Sequence, residues 1–285
     1  MANLIMMYGN KVDTATLSGG SWESSLPLNN VKNTIIRKVA RTTDATLTST
    51  KFIVDLGSNF TFFNSLCLIG HNLSIAAKWK ITTSNDSGFS TVLSTTGWVD
   101  IYTAIWSSLA LAWEDTNFWT GQIKQEYLDN YIRNSFSLLG TQEARYVKVE
   151  IDDTTNPDGY IQIGRVMITN YTQFERNTDW SASLRWQDDT IVASSLGGTR
   201  YFSPKEKRRV FTFSLSELTD DEAMNFVFEQ QRQLGISGEI FVIPDSEDVA
   251  NTFRRSFLGR MTELSGIERH VYAHQKTAYS IEEII

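Results

Sequence analysis

Residues 52–74 read FIVDLGSNFTFFNSLCLIGHNLS, two apolar runs joined by a polar turn. The first run, Phe52 to Leu56, and the second, Leu66 to Ile69, are each followed by a glycine with polar neighbours. This pattern is typical of short buried strands, and we predict that the two are adjacent strands in the core of a β-sandwich. The single cysteine, Cys67, lies in the second run and is predicted to be a small buried side chain without redox chemistry.

Other segments of the chain also have strand patterns. Residues 145–151 (RYVKVEI) alternate between two kinds of side chain, so Val147, Val149 and Ile151 are predicted to face the core. Aromatic residues make up 12% of the chain and there are only four prolines, a composition that favours strands. We therefore predict a mainly β protein.

One helix is predicted in the second half of the chain. Thr219 and Glu222 have the spacing of a capping box, in which each side chain satisfies a backbone N–H group of the first turn. Apolar residues then recur at helical spacing up to Leu234, and Gly235 is placed to end the helix. The predicted helix covers residues 219–234.

The length of 285 residues favours two domains. A polar stretch near residues 170–178 (NYTQFERNT) marks the predicted boundary. We predict a β-sandwich over residues 1–172, with an aromatic-rich insertion at about 101–137, and a β-barrel or sandwich with one helix over 178–285.

Composition and charge exclude several classes of function. The net charge is −7, and the only basic cluster is KEKRR at residues 205–209, predicted to be a solvated turn, so we expect no binding to nucleic acid. No run of 18 apolar residues and no basic leader segment occurs, so we expect neither membrane insertion nor export, and folding in a reducing cytoplasm.

The first predicted domain resembles the galactose-binding-like jelly roll of the discoidin type. The resemblance depends on the order of several pieces: Trp22 followed by LPLNNV at 26–31, then FIVDLG, SLCLIGHNLS and ARYVKVEI. The succession of VDLG and IGHNL is similar to copies of this domain in bacteriophage tail proteins. The resemblance implies a jelly-roll β-sandwich.

The second predicted domain resembles the tail-tube-like β domain of phage distal and minor tail proteins. The residues that carry this resemblance are FTFSLSEL at 211–218, the capped helix, and IFVIPD at 240–245, with a last strand at 279–285 that would close a barrel.

Together the two resemblances imply a structural component of a phage tail tip, made in the bacterial cytoplasm and located in the virion tail. They imply assembly as a ring or trimer with itself and with other tail proteins. The alternative is a carbohydrate-binding adhesin or lectin module that recognises a glycan on the host surface.

No motif indicates catalysis or a cofactor. The chain contains no G-x-S-x-G turn, no phosphate-binding loop and no dinucleotide-binding glycine pattern, so we predict no catalytic residue and no cofactor. His270 and His274 are predicted to lie on one strand, about 13 Å apart, which is too far for a shared metal ion. His71 is predicted to close a turn through hydrogen bonds.

The insertion supplies the candidate binding residues Trp106, Trp113, Trp119 and Tyr127. Such side chains offer apolar ring faces with a hydrogen-bonding edge, so they suit core packing, a protein interface or stacking on sugar rings. The sequence leaves these three roles open.

A cluster of acidic residues near Gly159 offers the oxygen ligands that calcium prefers. Its members are Asp152, Asp153 and Asp158, but their spacing does not match a calcium-binding loop. We interpret the cluster first as a solvated turn and keep calcium as a weak alternative.

Overall fold

The structure is a computed structural model that describes residues 2–272 and 274–285. The chain divides into two compact units. Residues 9–171 and 247–256 form one of them, the sandwich unit. Residues 2–8, 172–246 and the described part of 257–285 form the other, the helix-bearing unit.

Strands account for most of the regular structure. In chain order they are β1 (Ile5–Met7), β2 (Thr16–Ser18), β3 (Ala40–Arg41), β4 (Lys51–Asp55), β5 (Phe62–Ile69), β6 (Lys78–Ser84), β7 (Ser94–Thr95), β8 (Val99–Asp100), β9 (Asn134–Glu143), β10 (Tyr146–Asp152), β11 (Gln162–Ile163), β12 (Arg165–Thr169), β13 (Tyr171–Gln173), β14 (Ser183–Gln187), β15 (Ile191–Ser194), β16 (Arg200–Ser203), β17 (Arg208–Leu218), β18 (Ile240–Ile243), β19 (Phe257–Met261), β20 (Glu268–Val271) and β21 (His274–Glu283).

One helix is continuous over residues 222–234, which confirms the predicted helix. It consists of the π-helical stretch Glu222–Phe228 followed directly by α2 (Glu229–Leu234). The other helical segments are short: α1 (Gln125–Leu128), α3 (Thr252–Arg255), and the 3₁₀ turns Lys11–Asp13, Leu28–Lys32 and Ser108–Ala110. None of the helices in the described part of the chain is long and apolar enough to cross a membrane.

The sandwich unit has two main sheets around one core. One sheet has the order β2, β4, β10, β6 and β7, with β8 also paired to β6, and the other has the order β12, β5 and β9. Val147, Val149 and Ile151 of β10 are buried in the core shared by the two sheets, as their alternation predicts. Cys67 is fully buried, and burial raises the pKa of its thiol, so it acts as a packed apolar group as predicted.

The two apolar runs of residues 52–74 are strands, but they are not neighbours in one sheet. The first run lies in β4, which pairs with β2 and β10, and the second lies in β5, which pairs with β12 and β9. The predicted adjacency is therefore wrong. Both runs face the same core from opposite sheets, and a buried strand has the same apolar character on either side of a sandwich.

The helix-bearing unit has one large open sheet, with the order β13, β1, β18, β19, β21, β17 and β14 and with β20 paired to β21. The strand predicted at 279–285 to close a barrel belongs to β21, which lies inside the sheet between β19 and β17. His274 also begins β21 and follows the turn after β20, so His270 and His274 lie on two strands of a hairpin and not on one strand.

The two units interleave along the sequence, whereas a single boundary is predicted near residues 170–178. Ile5 and Met7 of β1 pair with Ile243 and Phe241 of β18, so the N-terminal strand lies in the helix-bearing unit. Such a pairing spans more than two hundred residues, and no local pattern indicates it. Residues 134–137 likewise belong to β9 and not to the insertion.

The capping box at the start of the helix is confirmed. The backbone N–H of Glu222 donates to Thr219 Oγ1 over 3.2 Å, and the N–H of Thr219 donates to Glu222 Oε2 over 3.0 Å. Gly235 follows the last turn with φ of 53° and ψ of −147°. A residue with a side chain rarely adopts this positive φ, so glycine suits the position, although the ψ differs from that of the predicted left-handed cap.

The basic cluster at 205–209 is only partly a solvated turn. Arg209 is 2% exposed, and its Nε donates to Glu283 Oε2 over 2.9 Å, while its guanidinium lies 5.0 Å from the ring centre of Phe257. The prediction fails for this residue because the carboxylate that permits its burial lies far along the chain.

Candidate functional site

The insertion of the sandwich unit is built on a small hydrophobic cluster of its own. We call residues 101–131 the aromatic segment. Tyr102, Ile123 and Leu128 are the buried members of this cluster, and partly buried neighbours pack on them, among them Trp106. The segment is therefore a packed structure even though it contains only one 3₁₀ turn and the single helical turn α1.

A glycine fixes the path of the backbone through this segment. Gly121 has φ of 64°, and its carbonyl oxygen accepts hydrogen bonds from the N–H groups of Ile105 and Trp106 over 2.8 and 3.0 Å. A Cβ atom at this position would lie 2.2 Å from the carbonyl oxygen of Trp106. Only glycine allows the two halves of the segment to approach this closely.

Side-chain hydrogen bonds hold the intervening loop. Asp115 Oδ1 accepts from Lys124 Nζ over 2.8 Å, and Asp115 Oδ2 accepts from the N–H of Ala112 over 3.1 Å. The amide of Gln122 donates to the carbonyl oxygen of Tyr102 over 2.6 Å. The hydrogen bond and charge from Lys124 lower the pKa of the Asp115 carboxyl, so the pair is ionised near neutral pH.

The three tryptophans of the segment have different environments. Trp106 is partly buried against the cluster, which is the packing role among the three alternatives. Trp113 and Trp119 are 76% and 90% exposed, and Leu109 is 97% exposed. The ring of Trp119 meets that of Phe118 edge to face, with their centres 5.1 Å apart.

Tyr127 lies in α1 of the same segment. Its side chain is 43% exposed, and the guanidinium of Arg254 lies 5.9 Å from its ring centre. Phe253 packs edge to face on Tyr131 at 5.4 Å. Both Phe253 and Arg254 come from residues 247–256, a stretch in which the sequence gives no sign of a part in this site.

A second polar group of residues surrounds the end of β5. His71 is buried, its Nε2 lies 2.8 Å from Ser135 Oγ, and its Nδ1 accepts from the N–H of Leu73 over 3.3 Å. Its predicted role of closing a turn is confirmed. Burial, together with the nearby charge of Arg133, lowers the pKa of His71 to about 3, so its imidazole is neutral at physiological pH.

The acidic residues near Gly159 hold loops together in the structure. Asp153 is buried, and its carboxylate accepts from the N–H of Ser74 over 2.9 Å and from Asn156 Nδ2 over 2.7 Å. Asp158 Oδ2 accepts from Asn72 Nδ2 over 2.8 Å.

Asp152 ends β10 and lies opposite Lys78 of β6. Within the described ranges, no three His, Cys, Asp or Glu side chains are grouped so that they could hold a metal ion. Calcium binding by Asp152, Asp153 and Asp158 stays a prediction.

The exposed side chains of the aromatic segment are mostly apolar. Trp113, Trp119 and Leu109 present apolar groups to solvent, and the half-exposed Tyr127 carries a hydroxyl group and lies beside the Arg254 guanidinium. Exposed apolar area on a backbone fixed by packing marks a recognition surface more often than a catalytic one. Sequence reasoning identified the aromatic side chains but missed Leu109 and Gly121.

Comparisons with known proteins give fold-level likenesses. No protein-family model matches the chain, and no curated protein matches it. Solved structures that are similar include a chitosan-binding module from a chitosanase/glucanase of Paenibacillus sp. IK-5, with 16% identity over 56% of this chain and 98% of that one and a TM-score of 0.34. A module of a family 31 glycoside hydrolase from Clostridium perfringens, CBM32-1, has 11% identity over 57% and 98% and a TM-score of 0.39.

A third similar structure is a GH29 fucosidase of Ruminococcus gnavus, with 13% identity over 57% of this chain and 27% of that one and a TM-score of 0.37. These likenesses concern the fold alone.

Proposed function

We propose that this protein is a non-catalytic carbohydrate-binding protein that holds sugar on the aromatic segment of its sandwich unit. The observation that carries the proposal is the exposure of Trp113 and Trp119, 76% and 90%, on a segment whose backbone is fixed by Gly121 and a small core. Large aromatic side chains held in water by a packed scaffold are suited to a ligand that covers them.

The chemistry of a sugar ring matches this surface. A pyranose has an apolar face of C–H groups that packs on an indole ring, and hydroxyl groups at its edge that pair with polar side chains. In this proposal Trp113 and Trp119 supply ring faces, and Tyr127 and Arg254 of the same unit supply a hydroxyl group and a guanidinium. Because the scaffold is packed in advance, binding orders few side chains, which favours affinity.

The test is binding of the full chain to an array of neutral, amino and acidic oligosaccharides, followed by calorimetry with the strongest ligand. Trp113→Ala and Trp119→Ala are each expected to weaken binding about tenfold or more, since tenfold corresponds to about 1.4 kcal/mol. Trp180→Ala is the matched control, because Trp180 is fully exposed in the helix-bearing unit. Its affinity is expected to equal that of the wild type.

Two results would overturn the proposal. One is an array without any bound oligosaccharide from protein whose circular dichroism shows an intact β fold. The other is a bound oligosaccharide whose affinity is unchanged in both tryptophan variants, which would move the sugar to another surface.

A second candidate function is the one implied by the resemblance to tail proteins, a structural component of a phage tail tip that assembles with itself and with other tail proteins. The observation that favours it is the run of exposed apolar side chains in the helix-bearing unit, from Trp180 to Phe202. Sugar binding and this role are compatible, since a protein of the virion tail meets the host surface.

Immunogold electron microscopy of the corresponding virion tests this second function. Label at the tail tip is the expected result. Label absent from complete virions that contain all other tail proteins would exclude it.

A further inference from the structure

A pocket lies in the helix-bearing unit where β17 begins and β21 ends, beside β19. It has a volume of about 370 Å³ and is lined by charged and apolar residues, among them Arg208, Arg260, Glu282, Ile236, Met261 and Ile284. Pockets of this size hold small organic molecules, which pack on apolar walls and are oriented by a few polar groups. The polar groups of this pocket therefore indicate what it can bind.

The guanidinium of Arg260 is the group in this pocket that lacks a partner. Within residues 2–272 and 274–285 it forms no ion pair, and its Nε is buried without a hydrogen-bond acceptor. Arg260 lies directly opposite Glu282 in the register of β19 and β21, so both side chains lie on one face of the sheet. A buried N–H group without an acceptor is costly, and most such groups in folded proteins have a partner. An acceptor from outside the chain would satisfy this guanidinium.

Both glutamates of the pocket are bound to other arginines. Glu282 pairs with Arg208, and Glu283 pairs with the buried Arg209. Arg208 also pairs with Asp189, so the whole group holds three guanidinium groups and three carboxylates, and its charges sum to zero. The unpartnered guanidinium thus lacks an acceptor, but the group has no excess of positive charge. Affinity for an anion must therefore come from hydrogen bonds and apolar contact.

A monocarboxylate with an apolar body matches these groups. A carboxylate accepts two parallel N–H···O bonds from one guanidinium. Because the surrounding charges are balanced, one negative charge is tolerated better than the double charge of a phosphate. Ile236 is 59% exposed beside the pocket, so a hydrocarbon chain that covers it removes apolar area from water.

We propose that this pocket binds a small organic carboxylate, whose oxygens accept from Arg260 and whose hydrocarbon part covers Ile236. An amide of the same length presents one acceptor and one donor to the guanidinium, so it loses one of the two hydrogen bonds. The pocket belongs wholly to the helix-bearing unit, and its ligand is independent of sugar binding by the aromatic segment.

The test is an NMR titration of the full chain, with isotope-labelled arginine, using hexanoate and hexanamide at neutral pH. Hexanoate is expected to shift one Nε–H signal that is absent from Arg260→Gln, and to bind at least about tenfold more tightly than hexanamide, because hydrogen bonds to a charged acceptor are the stronger ones. Arg260→Gln is expected to lose this preference. Arg200→Gln is the matched control, since Arg200 is an exposed arginine of β16 outside the pocket, and it is expected to bind hexanoate like the wild type.

Four results would overturn the inference: hexanoate that shifts no arginine signal, hexanamide that binds as tightly as hexanoate, unchanged hexanoate affinity in Arg260→Gln, or equal weakening in Arg200→Gln. If Arg260→Gln loses its β circular dichroism, Ile236→Ser tests the same pocket at an exposed position. Hexanoate is then expected to bind about threefold more weakly, because less apolar area is covered, while acetate is too short to be affected. Hexanoate affinity equal to that of the wild type would exclude the pocket.

Discussion

The aromatic segment and the hairpin of β15 and β16 both expose large apolar side chains. They differ in how much buried core supports the backbone that carries those side chains. In the aromatic segment, Trp113 and Trp119 project from a backbone that packs on its own cluster around Tyr102. In the hairpin of β15 and β16, Val192 and Phe202 lie opposite each other and are 51% and 63% exposed. The first surface is stable without a ligand, whereas the second leaves a hairpin without any core.

This difference indicates what each surface binds. A small ligand contributes little area, so it binds best to a surface that is already ordered. A partner protein contributes enough area to stabilise an element that is marginal by itself. The same residue types therefore support two different proposals, sugar at the aromatic segment and a partner protein at the hairpin of β15 and β16.

Of the substitutions that test this contrast, Gly121→Ala is expected to have the largest effect. Gly121→Ala places a Cβ atom 2.2 Å from the Trp106 carbonyl oxygen at a φ of 64°, so the aromatic segment loses its packed backbone. We expect the free energy of unfolding of the sandwich unit to fall by about 3 kcal/mol, measured by urea denaturation.

The control for this substitution is Gly97→Ala. Gly97 has a similar φ of 68°, but a Cβ atom there meets nothing within 4 Å. We expect a loss of only about 1 kcal/mol, from backbone strain alone. Equal losses in the two variants would mean that the close approach of Gly121 to Trp106 contributes nothing.

Sequence reasoning succeeded where a local pattern determines the structure. The alternation of residues 145–151 predicts which side chains are buried, and the spacing of Thr219 and Glu222 predicts a cap. Both depend on neighbours within a few residues of each other. The mainly β class with one helix follows from the same patterns.

Predictions from the sequence were wrong where a residue far along the chain determines the structure. Arg209 is buried because Glu283 reaches it, and β1 joins the helix-bearing unit because it pairs with β18. The candidate site shows the same limit, since nothing local distinguishes the partly buried Trp106 from the exposed Trp113.

An intermediate effect is expected from pH in the sandwich unit. His71 has a pKa of about 3 in the folded protein and about 6.5 when unfolded. Between these values the unfolded state binds a proton that the folded state does not, so stability is complete above pH 6.5 and is lost as the pH falls. We expect the sandwich unit to lose about 2 kcal/mol between pH 7.5 and pH 5.

Hydrogen exchange measured by mass spectrometry separates the two units in this experiment. Peptides of β5 and β9, which flank His71 and Ser135, are expected to lose protection at pH 5 after correction for the intrinsic exchange rate. His71→Gln removes the titrating group and is expected to flatten the dependence. If His71→Gln keeps the full pH dependence of protection, titrating groups other than His71 cause that dependence.

The smallest effect is expected from the ion pair that holds the loop of the aromatic segment. Asp115→Asn removes the charge that pairs with Lys124 at 2.8 Å but keeps the shape of the side chain. Trp113 and Trp119 then lie on a less ordered loop, and sugar affinity is expected to fall about threefold, because more of the loop must be ordered on binding. Asp86→Asn is the control, since the carboxylate of Asp86 accepts hydrogen bonds from Ser90 in an exposed loop.

Faster exchange of the amides between residues 112 and 124 in Asp115→Asn alone would tie the lost affinity to loop order. Unchanged affinity together with faster exchange would instead show that the indoles bind sugar without a fixed loop, which would remove the main contrast between this surface and the hairpin of β15 and β16.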